Sequence, residues 1–165
     1  MSSDPRQTSV PKLPGAGRHT EDALRDCGGC NVCCTAMRVA PFDKPAGTPC
    51  QHQSATGCDI YSSRPSVCRV WFCMWVRDTG RIFTNAHRPD KLGLLFTASI
   101  PDPITGEQTI YAHETVPDAA QLPEGMKIIR YLRQAGPVQV LPFRRPSPDQ
   151  SDSTRLTHNG TELAA

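Results

Sequence analysis

Cysteine is absent from this 165-residue chain before residue 27 and after residue 73. Also absent is any apolar run near the ~20 residues that a bilayer-spanning helix needs. The N-terminus lacks the succession of charged, apolar and small-residue regions that marks a secretory leader, so a cytoplasmic location is expected. No charge sign is in excess: 18 basic against 16 acidic residues leave a formal charge of +2. That balance gives no basis for electrostatic capture of nucleic acid or of an anionic membrane. A glycine-rich nucleotide loop, an H-E-x-x-H helix and a nucleophile–base pair are all missing. These absences leave no catalytic residue to name. His87 and His113 stand isolated and read as surface histidines.

The two ends, residues 1–20 and 144–165, are rich in Pro, Gly, Ser and charge. Neither can bury enough apolar surface to offset the entropy of ordering, and both are expected to be disordered tails. About 120 residues lie between them, enough for one modest core. Residues 21–78 hold every cysteine, and residues 79–143 form an α+β part of the same domain. In the latter, "KLGLLFTASI" and "QTIYAHETV" read as strands joined through the turn-forming "PDPITGEQ". "PEGMKIIRYLRQAG" reads as a helix with Met126, Ile128, Ile129 and Leu132 on its apolar face, stopped by Gly136 and Pro137. "VQVLPF" is a last short strand. The expected fold class is α+β: a small cysteine-rich metal-binding module of short helices and loops, packed on a strand–strand–helix–strand layer.

What the chain does have is eight cysteines inside a window that opens on "CGGCNVCC". Gly28 and Gly29 disfavour a helix at its start. Asn31 can cap a short helix that begins at Val32 and runs toward Met37, before Pro41 ends it. Cys30, Cys33 and Cys34 are then spaced i, i+3 and i+4, so their sulfurs approach one face, and Cys27 reaches that face from the glycine turn. A second helix is expected in "SSRPSVCRVWFCMWVRD", capped by Ser62 or Ser63 with Pro65 in its first turn. On a regular helix Cys68 and Cys73 would lie about 140° apart. Either the backbone leaves the helix near Phe72, or the two cysteines serve different sites.

Disulfides fit this pattern poorly. The expected compartment is reducing, Cys33 and Cys34 are adjacent, and the cysteine-free remainder can form its own core. Zinc suits C-x2-C pairs, and two four-cysteine sites would use every thiol; His52 offers a nitrogen if one cysteine is spare. An iron–sulfur cluster suits the C-x2-C-x2-C run of Cys27, Cys30 and Cys33 with a distant fourth cysteine, and a cubane 4Fe–4S type is slightly favoured on that spacing. Trp71, Phe72 and Trp75 can shield such a cluster or simply form core. Storage in the manner of a metallothionein fits less well, because the thiols are interleaved with large apolar residues that favour a fixed fold.

The pattern C-x2-C-x2-CC, then Cys50, then "GCDIYSSRPSVCR", resembles the YkgJ-type cysteine-cluster family, a zinc- or iron-chelating module. The likeness covers residues 27 to 73. It implies that Cys27, Cys30, Cys33, Cys34, Cys50, Cys58, Cys68 and Cys73 are metal ligands. Ile60, Tyr61, Arg64, Pro65 and Arg69 match its other signature positions. Members of that family usually carry a longer acidic segment after the CC pair, whereas here "TAMRVAPFDKPAGTP" holds one acid, Asp43. The flagellin lysine methylases are similar in this motif but larger, and their activity is not carried over. Arg64 and Arg69 flank Cys68, so their guanidinium groups, like the Tyr61 hydroxyl, can donate to thiolate or sulfide and offset its charge. The functional expectation is a metal-binding protein that coordinates iron, as an iron–sulfur cluster, or zinc. The alternative is an iron–sulfur-dependent enzyme or redox carrier. The metal ion or cluster is the one partner the sequence implies.

Overall fold

The computed structural model describes residues 25–78 and 82–143, so both stretches expected to be disordered tails lie outside the described residues. The chain is mixed α and β. The cysteine-rich part runs through α1 (Val32–Ala36), a small hairpin of β1 (Gln53–Ser54) and β2 (Gly57–Cys58), then α2 (Ser66–Val70) and α3 (Met74–Arg77). It is followed by α4 (Pro89–Leu92), β3 (Leu94–Ala98), β4 (Ile110–Glu114), α5 (Pro123–Leu132) and β5 (Val138–Leu141).

The last three strands form one sheet in the order β3-β4-β5. β3 and β4 are an antiparallel pair that sets Phe96 opposite Ala112, and β5 returns parallel to β4 after the α5 crossover. Leu94, Leu95 and Phe96 are all buried, as expected of a strand covered on both faces. On α5 the buried residues are Gly125, Ile128, Ile129 and Leu132, an i, i+3, i+4, i+7 stripe. Met126, expected on that face, is 46% exposed instead. Gly125 is required by close approach, since a Cβ there would lie 2.1 Å from the Ala119 carbonyl oxygen.

The core draws on both parts of the chain. Cys73, Met74, Trp75 and Val76 pack in one cluster with Phe83, the sheet and α5. Arg25 anchors this corner: its backbone N–H donates to Val76 O at 3.0 Å, and its guanidinium lies 3.6 Å from the Asp78 carboxylate and over the Trp75 ring. Asp78, itself buried, accepts from the N–H groups of Ile82 and Phe83 at 2.8 and 2.7 Å.

One local expectation is corrected, and one open alternative is decided in favour of a backbone that leaves the helix near Phe72. α1 begins at Val32 as the sequence suggests, but the Asn31 side chain does not cap it; it donates to Ser54 O at 2.7 Å and ties α1 to the hairpin. The expected helix over 62–78 is broken. Ser62 and Ser63 lie in a 3₁₀ turn before Pro65, α2 stops at Val70, and Trp71 is extended (φ −93°, ψ 127°) before α3 begins. One straight helix would align Val67 and Val70 with Met74. Yet Val70 is 76% exposed and Met74 only 2%. Burying Met74, Trp75 and Val76 in the core therefore requires a new direction, which the extended residues supply. Among the described residues no helix is long and apolar enough to cross a membrane.

Candidate metal centre

The eight cysteines arrive from six short pieces of backbone, each fixed locally. Cys27 and Cys30 close a turn in which Cys30 N–H donates to Cys27 O at 3.1 Å, and Gly28 takes the positive φ of +55° that the turn requires. Cys33 and Cys34 sit in α1. Cys50 is held beside that helix by its own N–H, which donates to Cys34 O at 3.1 Å, and by Gly47 N–H donating to Thr35 O at 2.9 Å. Cys58 ends β2 opposite Gln53, Cys68 lies within α2, and Cys73 immediately precedes α3.

All eight thiols are free, and all eight line a single cavity of about 440 Å³. Apolar walls from Val39, Phe42, Ile60, Val67, Trp71 and Phe72 complete it. That volume is more than ten times the ~30 Å³ share of one water and far larger than a single ion needs. Cys73 is the one buried cysteine; the others are half-buried.

Burial dominates the electrostatics of the inner thiols. It pushes Cys73 up to about 11 and raises Cys27, where the neighbouring Cys30 adds to the effect. Cys30 is raised by burial as well, with the Asp90 carboxylate within hydrogen-bonding reach. The adjacent pair behaves differently. Cys33 donates to Cys34, which pushes Cys33 far up and holds Cys34 down to about 7. Lys44 and Arg64 add positive charge that favours the Cys34 thiolate. Burial raises Cys68, against the opposing pull of Arg64.

Of the three side chains expected to support the thiols, Arg64 and Tyr61 line the cavity, and the Arg64 guanidinium stacks 3.5 Å from the Tyr61 ring centroid. Arg69 is exposed and is not part of the lining. His52 lines the cavity edge-on to Phe42, with ring centroids 4.9 Å apart. The two isolated histidines are not surface groups. His87 Nδ1 accepts from Thr84 N–H at 3.0 Å, and half-buried His113 sits 3.0 Å from the Thr97 hydroxyl across the sheet.

Two residues beside the thiols carry no signal in the sequence. Lys44 is 6% exposed, and its ammonium donates to the carbonyls of Thr35, Met37 and Pro45. Its neighbour Asp43 takes a left-handed φ of 48° that turns the chain so that Val39 pairs with Lys44. The segment that holds a single acid thus delivers a buried cation beside Cys50 and Cys34. Asp90 comes from α4, outside the cysteine-rich part, and is held by Arg88 at 2.6 and 2.7 Å. A position on one element says nothing of a contact made by folding, so spacing could not have found either.

The donor set, all thiol with cationic neighbours, has the chemistry of an iron–sulfur or zinc site. Among the described residues, however, no three His, Cys, Asp or Glu side chains are gathered closely enough to hold one metal ion. No protein-family model matches the chain, and no curated protein or solved structure matches it either.

Proposed function

We propose that this is a metal-binding protein whose cysteine cluster coordinates an iron–sulfur cluster or zinc, within a reducing, cytoplasmic compartment. The observation that supports it most is the convergence of eight unpaired thiols on one cavity of about 440 Å³. The resemblance of the cysteine spacing to the YkgJ-type family points the same way. Iron–sulfur is the favoured form. At a Zn–S distance of ~2.3 Å, four thiolates around one zinc must approach to roughly 3.8 Å of one another. A cluster of several metal atoms takes ligands spread more widely, and here the cysteines line a cavity of about 440 Å³ with no three gathered closely enough for a single ion among the described residues. Arg64, and Lys44 behind the wall, offset the charge that several thiolates bring together. When bound, the group supplies either a fixed cross-link for the fold or an electron-accepting centre; the chain's own residues hold it and exclude water from it.

The experiment is anaerobic purification of the full chain with iron, zinc and sulfide measured alongside an absorption spectrum. Iron with matching sulfide and a band near ~400 nm is the expected result, and Cys34→Ser should lower the metal content. A colourless protein with stoichiometric zinc would assign the structural form instead. Full metal retention in Cys30→Ser and Cys34→Ser, or no metal at all, would overturn the assignment.

A further inference from the structure

We propose that the outer edge of β5 is an interaction surface for a second copy of this chain, the two strands pairing antiparallel about a two-fold axis at Gln139. No residue of β5 lines the thiol cavity, and the pairing does not depend on what the cysteines bind.

The register of the sheet leaves this edge open. Among the described residues β5 pairs with β4 and with no other strand. β3, at the opposite edge, has α3 and α4 packed against it. Ile110 N–H donates to Pro137 O at 2.9 Å. Parallel pairing then alternates, so Pro137, Gln139 and Leu141 turn their backbone groups toward β4. The N–H and C=O groups of Val138 and Val140 therefore point outward, while their side chains pack against the core. Gln139 is exposed on the other face of the strand. Sheet edges are commonly guarded by a charged side chain, a bulge or a covering element. Val138–Leu141 carries no charge. Pro142 follows it without an N–H to offer, which limits the usable edge to the two valines.

An edge of two outward residues is self-complementary. Turned about Gln139, Val138 of each chain comes opposite Val140 of the other, and each such pair exchanges two N–H···O bonds. The four bonds satisfy every outward group of both strands. The Gln139 residues then form the non-hydrogen-bonded pair on the axis, with Cα atoms ~4.5 Å apart. Their side-chain amides can each donate to and accept from the other. A second copy thus supplies a strand of equal length, in one register and with no like charges opposed, where an unrelated peptide would bring no fixed register. The contact is isologous and closes on itself, joining two three-stranded sheets in the order β3-β4-β5-β5-β4-β3. So few bonds make a small interface, and the association is weak and concentration-dependent.

Sedimentation equilibrium of the anaerobically purified full chain over a concentration series tests this, with reductant present so that the free thiols form no intermolecular disulfide. The average mass should rise from 18.1 kDa toward twice that value. Val140→Pro removes an outward N–H and leaves the β4–β5 bonds in place, so it should hold the mass at one chain. Gln139→Lys and Gln139→Glu each oppose like charges on the axis, and each alone should stay monomeric across the series. Mixed in equal amounts they should associate again, because opposite charges then meet. An unaltered chain that remains monomeric throughout overturns the proposal. Association that survives Val140→Pro or either Gln139 variant overturns it too, as does a mixture of the Gln139 variants that fails to associate. If circular dichroism shows Val140→Pro unfolded, the two Gln139 variants decide.

Discussion

The proton that Cys33 donates to Cys34 separates two adjacent residues that the sequence presents as equivalent. Cys34, held down to about 7, is the thiol most easily ionised near neutrality, while Cys73 is pushed up to about 11. In metal-free protein iodoacetamide should therefore modify Cys34 first, with a rate midpoint near pH ~7, because the thiolate is the nucleophile. Cys33→Ala removes the donor and should move that midpoint up toward the ordinary 9.0. Peptide-resolved alkylation rates between about pH 6 and 10 read both. Cys73 gives the opposite sign. Its folded value of about 11 lies above the ordinary 9.0, so the folded chain holds that proton more tightly than the unfolded one. The resulting stability is present in full below the ordinary value and is lost as pH rises through the folded one. Urea midpoints of the metal-free protein should fall between about pH 9 and 11, and Cys73→Ala should flatten that fall.

At the scale of elements, α5 depends on one close approach. Gly125→Ala would drive a Cβ to 2.1 Å from the Ala119 carbonyl oxygen, a backbone atom that cannot swing aside. We expect it to cost roughly 2–4 kcal/mol, the range of other backbone and overpacking defects, read as a lower urea midpoint with unchanged slope. The α5 stripe was largely legible because its period is local: Ile128, Ile129 and Leu132 are buried as the pattern requires. The hairpin of β3 and β4 was legible for the same reason, two β-rich runs around a turn segment. Residues 62–78 were not. Their local preference is helical from Ser62 to Asp78, but Met74, Trp75 and Val76 have to enter the core, and the Arg25–Asp78 contact holds the chain there. That constraint comes from a residue far away in sequence. Cys68 and Cys73 illustrate the result, since the break between α2 and α3 was one of the two ways the spacing could be satisfied.

For the whole molecule, the cavity exists because the two parts of the chain share a core. Cys73 lies in the same apolar cluster as Leu94, Ile110 and Leu132, so the sheet and α5 fix the position from which the inner cysteines face the cavity. That the cysteines would gather was legible from their confinement to one window of the sequence, and all eight line one cavity. Lys44 and Asp90 were not, because tertiary contacts brought them beside the thiols. The measurement that bears most directly on the central claim is X-ray absorption at the edge of whichever metal the anaerobically purified protein contains. Coordination by this cysteine set predicts a first shell of sulfur alone, about four per metal at ~2.3 Å. A shell dominated by nitrogen or oxygen near ~2.0 Å would contradict it.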